Sequence, residues 1–279
     1  MRTRLALSSI LVLSLASCGG TPEQSIDLTF QARVGSEPFA CGTTYANVGS
    51  TRTSLTPADL RFYVHDIRLV TSSGAEHPLH LDATDFQGDG VALLDFEDGT
   101  RDCADFGTPT TNVALTGTAA PGRYTELRFR LGVPAERNHL DVATARAPLN
   151  IDSMYWGWLG GYKYLRFEGR TTGQPMGFFF HLGATDCSGF PMRGEPRVCV
   201  NGNRPEVRIP LPADFTPRSH RFVVDVASWM ASVDLDTNQS GAAGCMADVD
   251  DLDCPSYMAA VGLPMPSTQT LIRVEAVAR

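Results

Sequence analysis

The chain has 279 residues, 43% of them hydrophobic, with 23 basic against 31 acidic residues and a formal net charge of −8. That acidic balance excludes an electrostatic nucleic-acid binder and a surface held to anionic lipid by charge. The length suffices for one sizeable core, and an all-β fold of this size commonly forms a single domain.

Arg2 and Arg4 precede an apolar run over residues 5–16, broken only by serines, which leads into Leu15-Ala16-Ser17-Cys18. Residues 1–17 therefore read as a secretory signal of the lipoprotein kind, with Cys18 as the acylated new N-terminus. An ordinary signal peptide cleaved nearby is the plainer alternative. Gly19, rather than an aspartate, follows the cysteine, which points to an outer-membrane lipoprotein facing the periplasm or the cell surface. Residues 18–25 read as a short lipidated tether and residues 26–279 as one domain. No second apolar run is long enough to span a membrane. The signal holds two basic and no acidic residues, so the mature chain carries −10.

Six cysteines remain after Cys18: Cys41, Cys103, Cys187, Cys199, Cys245 and Cys254. An even number in an exported chain reads as disulfides. The short spacings suggest Cys187–Cys199 and Cys245–Cys254, leaving Cys41–Cys103. None shows the C-x-x-C spacing of a zinc or redox site.

In chain order, residues 26–34 alternate apolar and polar, a half-buried strand. Residues 37–59 read as a long loop pinned by Cys41. Residues 60–70 alternate again, with Leu60, Phe62 and Val64 on one face and Tyr63, His65, Ile67 and Leu69 on the other. Residues 78–82 and 91–96 are short strands. Residues 124–133 put Leu127, Phe129, Leu131 and Val133 on one face, after the turn pair Pro121-Gly122. Residues 138–147 suggest a short helical turn. Further strands are expected over 154–158, 162–168, 176–182, 206–211, 221–228 and 270–277. No sustained 3.6-residue period appears. The expected fold is all-β, an antiparallel β-sandwich with long disulfide-pinned loops.

No nucleophile elbow, Walker loop, H-E-x-x-H or GxGxxG is present, and no spacing singles out a catalytic triad, so an enzyme is not expected. Asp234-x-Asp236-x-Asn238 resembles the start of a calcium loop, but Gln239 and Cys245 stand where an EF-hand needs Gly and Glu. Asp248, Asp250, Asp251 and Asp253 follow, so the 234–253 region offers either a local calcium site or a solvated acidic loop. Of the six histidines, His77 and His80 fall in a turn, and His65 and His220 sit near strands as satisfied polar residues. His181 follows Phe178, Phe179 and Phe180, and a buried imidazole there needs a partner: a metal, a carboxylate or a backbone carbonyl. Trp156 and Trp158 lie between His139 and His181. Strand periodicity puts them on one face with Met154, opposite Tyr155 and Gly157, as core or as the wall of a site.

With those residues in place, the chain resembles the MbnP-like proteins, also called the metallo-mystery pair four-Cys motif family. The matching stretches are 62–70, 94–99, 127–139, 148–169, 178–187, 224–230 and 244–254, most specifically MYWGWLGGY at 154–162 and HLGATDC at 181–187. The resemblance implies a periplasmic or surface copper-binding protein whose partner is a di-haem c-type cytochrome, related to MauG and bacterial cytochrome c peroxidases. That partner oxidises a tryptophan to kynurenine, which then helps to bind copper. Indole Nε1–H is a donor only, whereas the opened ring supplies an amine and a ketone. Carried over, His139 and His181 are the imidazole ligands and one of Trp156 and Trp158 is the kynurenine precursor. Met154 is a thioether neighbour or gap-filling core, and Trp229 is core. The alternative is a β-sandwich binding module without copper, stapled by disulfides and stabilised by calcium.

Overall fold

The computed structural model describes residues 22–157, 159–189 and 197–277. The signal residues, Cys18 and Trp158 lie outside the described residues. Among the described residues, no helix is long and apolar enough to cross a membrane.

The expected all-β sandwich is what forms. One sheet runs Ile272–Ala276, His220–Asp225, Gln24–Val34, Ala114–Ala119, His80–Leu81. The larger sheet runs Glu206–Pro210, Tyr124–Leu131, Thr53–Thr71, Leu165–Thr171, Phe178–Leu182, Gly244–Cys245. Pairing is antiparallel except where Gln24–Val34 meets His220–Asp225 and where Phe178–Leu182 meets Gly244–Cys245. Leu28, Phe30 and Phe222 from the first sheet join Phe62, Leu127, Phe129 and Phe180 from the second in one apolar cluster. Trp229 is buried in it, against Phe167 and Phe180, as core. The three disulfides are Cys41–Cys103, Cys187–Cys199 and Cys245–Cys254, as the spacings suggest.

Several expectations change. The loop proposed over 37–59 contains the Tyr45–Val48 strand and the first residues of the Thr53–Thr71 strand. Residues 138–147 form turns, and the helical turn lies just before them, as the 3-10 segment Ala135–Arg137. Residues 226–228 leave the strand for the four-residue helix Val226–Trp229, whose first N–H groups are capped by the Asp225 carboxylate.

The faces of the long strand also differ from simple alternation. Leu131 pairs with Val64, but Leu127 pairs with Leu69. Directly opposite residues of an antiparallel pair share a face, so Leu69 lies with Val64 and not with Tyr63 and His65. The cause is a register shift at Asp66, whose φ is +51°. An extra residue in one strand inverts the two-residue period beyond it.

The second face of this strand is also covered, from Asp59 to His65. It carries charge. Arg61, Arg166 and His181 stand in one row across three strands, and Asp59 lies opposite Glu168 in the next. Arg61 is fully buried; its Nε and Nη2 donate to the two Asp59 oxygens at 2.9 and 2.5 Å, and its Nη1 lies 3.4 Å from Glu97 Oε1. Phe106 covers the row from outside, its carbonyl accepting from Arg61 and its ring stacked under Arg166. Buried ions persist only when each finds partners, and here signs that alternate along each strand, with the diagonal Arg166–Asp59 contact between strands, supply them.

Candidate metal centre

His181 lies on the Phe178–Leu182 strand and is 5% exposed. Its Nε2 is 2.6 Å from Glu168 Oε1 on the neighbouring strand. The same Glu168 oxygen accepts from Arg166 Nε at 2.6 Å, and Arg166 Nε also lies 3.1 Å from Asp59. The Nδ1 of His181 is buried with no hydrogen-bond partner among the described residues. Burial lowers the His181 pKa against the opposing pull of Glu168, so the ring is neutral at pH 7. Burial alone would raise Glu168, but the hydrogen bonds from His181 and Arg166 and the Arg166 charge outweigh it and hold the carboxyl at about 2.

Trp156 is placed beside this histidine. The Tyr155–Gly157 and Gly161–Tyr162 strands form a small ribbon, and the Trp156 ring centroid lies 6.1 Å from that of His181. A β-carbon on Gly183 would overlap the six-membered ring of Trp156, so only glycine lets the indole lie against this backbone. Gly183→Ala is expected to lose about 1–3 kcal/mol through overpacking, with a changed tryptophan near-ultraviolet circular dichroism signal. Unfolding and spectra matching the parent would remove the indole from this contact.

The segment before Trp156 is tied to the charged row. Ser153, in the 3-10 turn Asp152–Met154, accepts at its carbonyl from Lys163 Nζ (2.8 Å) and Arg166 Nη1 (2.9 Å), and its hydroxyl accepts from Arg61 Nη1 at 3.0 Å. Burial lowers the Lys163 ammonium to about 8. Met154 closes this turn fully buried, while Trp156 is half-buried. The expected sharing of one face by Met154 and Trp156 therefore fails, because the strand begins only at Tyr155, and Met154 is gap-filling core.

His139 follows the Ala135–Arg137 turn and is half-buried. Asn138 links it to the tryptophan ribbon: its Oδ1 accepts from the Tyr162 N–H at 3.2 Å, which turns Nδ2 toward His139 Nε2 at 3.1 Å. Nε2 thus accepts the Asn138 amide N–H with its lone pair. It also lies 3.3 Å from Cys199 Sγ, and the donor atoms of His139, Cys187 and Cys199 fall within 4.8 Å of one another. Those sulfurs are bonded to each other, so the imidazole is the strong donor of this group. Among the described residues, His181 belongs to no such group of three or more. The structure brings Trp156 to His181 and connects His139 to the same ribbon through Asn138.

The other candidates settle elsewhere. His65 Nδ1 donates to the Gly132 carbonyl at 2.9 Å, and burial lowers its pKa to about 4. His220 is buried with its Nδ1 near the Thr216 N–H, and His80 is exposed. In the 234–253 region, Asp234, Asp236, Asp251 and Asp253 accept from loop N–H and hydroxyl groups. No three carboxylates gather there as a metal cluster among the described residues. No sequence motif singles out Glu168 and Arg166. Their signal was present as Asp59-x-Arg61 and Arg166-x-Glu168, opposite charges two apart inside apolar strands.

The MbnP family profile matches residues 23–247, a span holding His139, Trp156, Glu168 and His181. No curated protein matches the sequence. Among solved structures, MbnP from Methylosinus trichosporium superposes with a TM-score of 0.80 at 28% identity, covering 92% of this chain and 100% of that one. Sequence and fold agree over most of the length, and the chain belongs to the MbnP family.

Proposed function

We propose that the protein is a copper-binding, non-enzymatic lipoprotein of the outer membrane, anchored through Cys18 and facing the periplasm or cell surface. Its site uses His181, His139 and a kynurenine made from Trp156. The observation that carries this reading is the Trp156 indole beside a buried neutral imidazole with one unpartnered ring nitrogen. A buried nitrogen lone pair without a protein donor is costly, and a metal ion relieves that cost. Imidazole suits copper, and the donor set fits it once the indole is opened, because the intact ring offers no nitrogen lone pair. Bound copper would supply redox or transfer chemistry, while His181 and His139 hold it and the packing around Gly183 positions the modified side chain.

The indole needs an outside oxidant, since the nearby side chains are acid–base groups and aromatics. A di-haem c-type cytochrome of the MauG kind would supply that oxidation. Peptide mass spectrometry of protein from its own organism should find the tryptophan-to-kynurenine mass change within residues 154–163, with copper in the intact protein. His181→Ala and His139→Ala should each lose that copper. Copper retained unchanged in both variants would sink the site.

A further inference from the structure

We infer that Glu168 is the positioning residue of the metal site: it fixes His181 as the Nε2–H tautomer and makes Nδ1 the metal-binding atom. The inference rests on the copper reading above and adds the ligand atom and the group that selects it. Neutral imidazole carries one proton, and the nitrogen bearing it is set by the partner of that nitrogen. Glu168 Oε1 lies 2.6 Å from His181 Nε2 and 2.6 Å from Arg166 Nε. Arg166 also contacts Asp59, which is itself held by Arg61. A carboxylate in that company is ionised and accepts only, so the proton between Glu168 and His181 belongs to Nε2. The lone pair is then on Nδ1, in the buried position where no protein donor among the described residues meets it. Carboxylate–histidine–metal relays of this form orient the ring and raise its basicity.

The arrangement also resists rotation of the ring. A flip of the imidazole exchanges Nε2 with Cε1, so it would put a C–H where the N–H now meets Glu168 and break that bond. The strand register enforces it, since Arg166 stands directly opposite His181 and Glu168 directly opposite Phe179, which packs on the His181 ring at 5.8 Å.

The test is nitrogen-15 NMR of histidine-labelled, metal-free protein, which reports the tautomer without copper. His181 should show a protonated, pyrrole-type Nε2 and a pyridine-type Nδ1. Glu168→Gln should mix the tautomers, and in protein whose kynurenine has been verified it should weaken copper binding about 10–100-fold. Glu168→Asp should recover part of that loss. A protonated Nδ1 in the parent protein overturns the inference, and so does parental copper affinity in Glu168→Gln. If Glu168→Gln does not fold, the tautomer of the parent decides alone. Loss of copper in His181→Ala alongside a protonated Nδ1 rejects the ligand atom and keeps the copper site. Copper retained in His181→Ala rejects the site itself.

Discussion

Replacing Arg61 with methionine is expected to destabilise the fold by about 3–5 kcal/mol at pH 7, the usual cost of removing one partner from a buried ion pair. Arg61 is fully buried, and it is the partner of both Asp59 and Glu97. Burial already pushes the carboxyls of Asp59, Asp95 and Glu97 up against the pull of this guanidinium, Asp95 to about 8. Without Arg61 that opposing pull is gone and their native pKa values rise further. A carboxyl raised in the native state binds protons more tightly folded than unfolded. Stability is then full below the unfolded value near 4 and falls as pH rises through the native one. The deficit of Arg61→Met should therefore shrink on acidification toward pH 4 and widen toward pH 8. Arg33→Met is the control: its pair with Glu275 is partly exposed, and such pairs contribute no more than about 1 kcal/mol. Chemical denaturation across pH measures both. A loss below about 1 kcal/mol for Arg61→Met would show that the charged row does not carry the sheet.

That row marks the limit of what the sequence displays. Period-2 alternation over residues 26–34 and 124–133 was enough to place strands, because each buries one face. The long strand was harder for two physical reasons. Its phase inverts at Asp66, and nothing in a list of apolar positions announces a bulge. Its second face is buried by polar contacts with neighbours more than 90 residues away in sequence, the Arg61 hydrogen bond to Ser153 and the Asp59 ion pair with Arg166. The same limit applies to the proposed metal site. His181 after three phenylalanines was legible as a buried imidazole in need of a partner, and one such partner, a carboxylate, is present. Which carboxylate, and which nitrogen it leaves open, followed only from the register between the Leu165–Thr171 and Phe178–Leu182 strands.

The choice between the two tryptophans leads to the second large effect. Trp156→Phe is expected to abolish the kynurenine signature and to lower copper affinity by more than about 100-fold, because loss of a ligand exceeds the 10–100-fold typical of its supporting partners. Phenylalanine keeps an aromatic ring against Gly183, so packing is largely retained while the only source of an amine and ketone at this position is removed. Trp158→Phe should leave both readouts near the parental level. The asymmetry follows from the Trp156 indole lying beside His181, with Gly183 and Gly160 shaped to its ring and β-carbon. Peptide mass spectrometry and copper titration of the two variants, each produced with the proposed di-haem partner, measure the difference. A modified Trp158 peptide with unmodified Trp156 would move the oxidised position two residues along the chain.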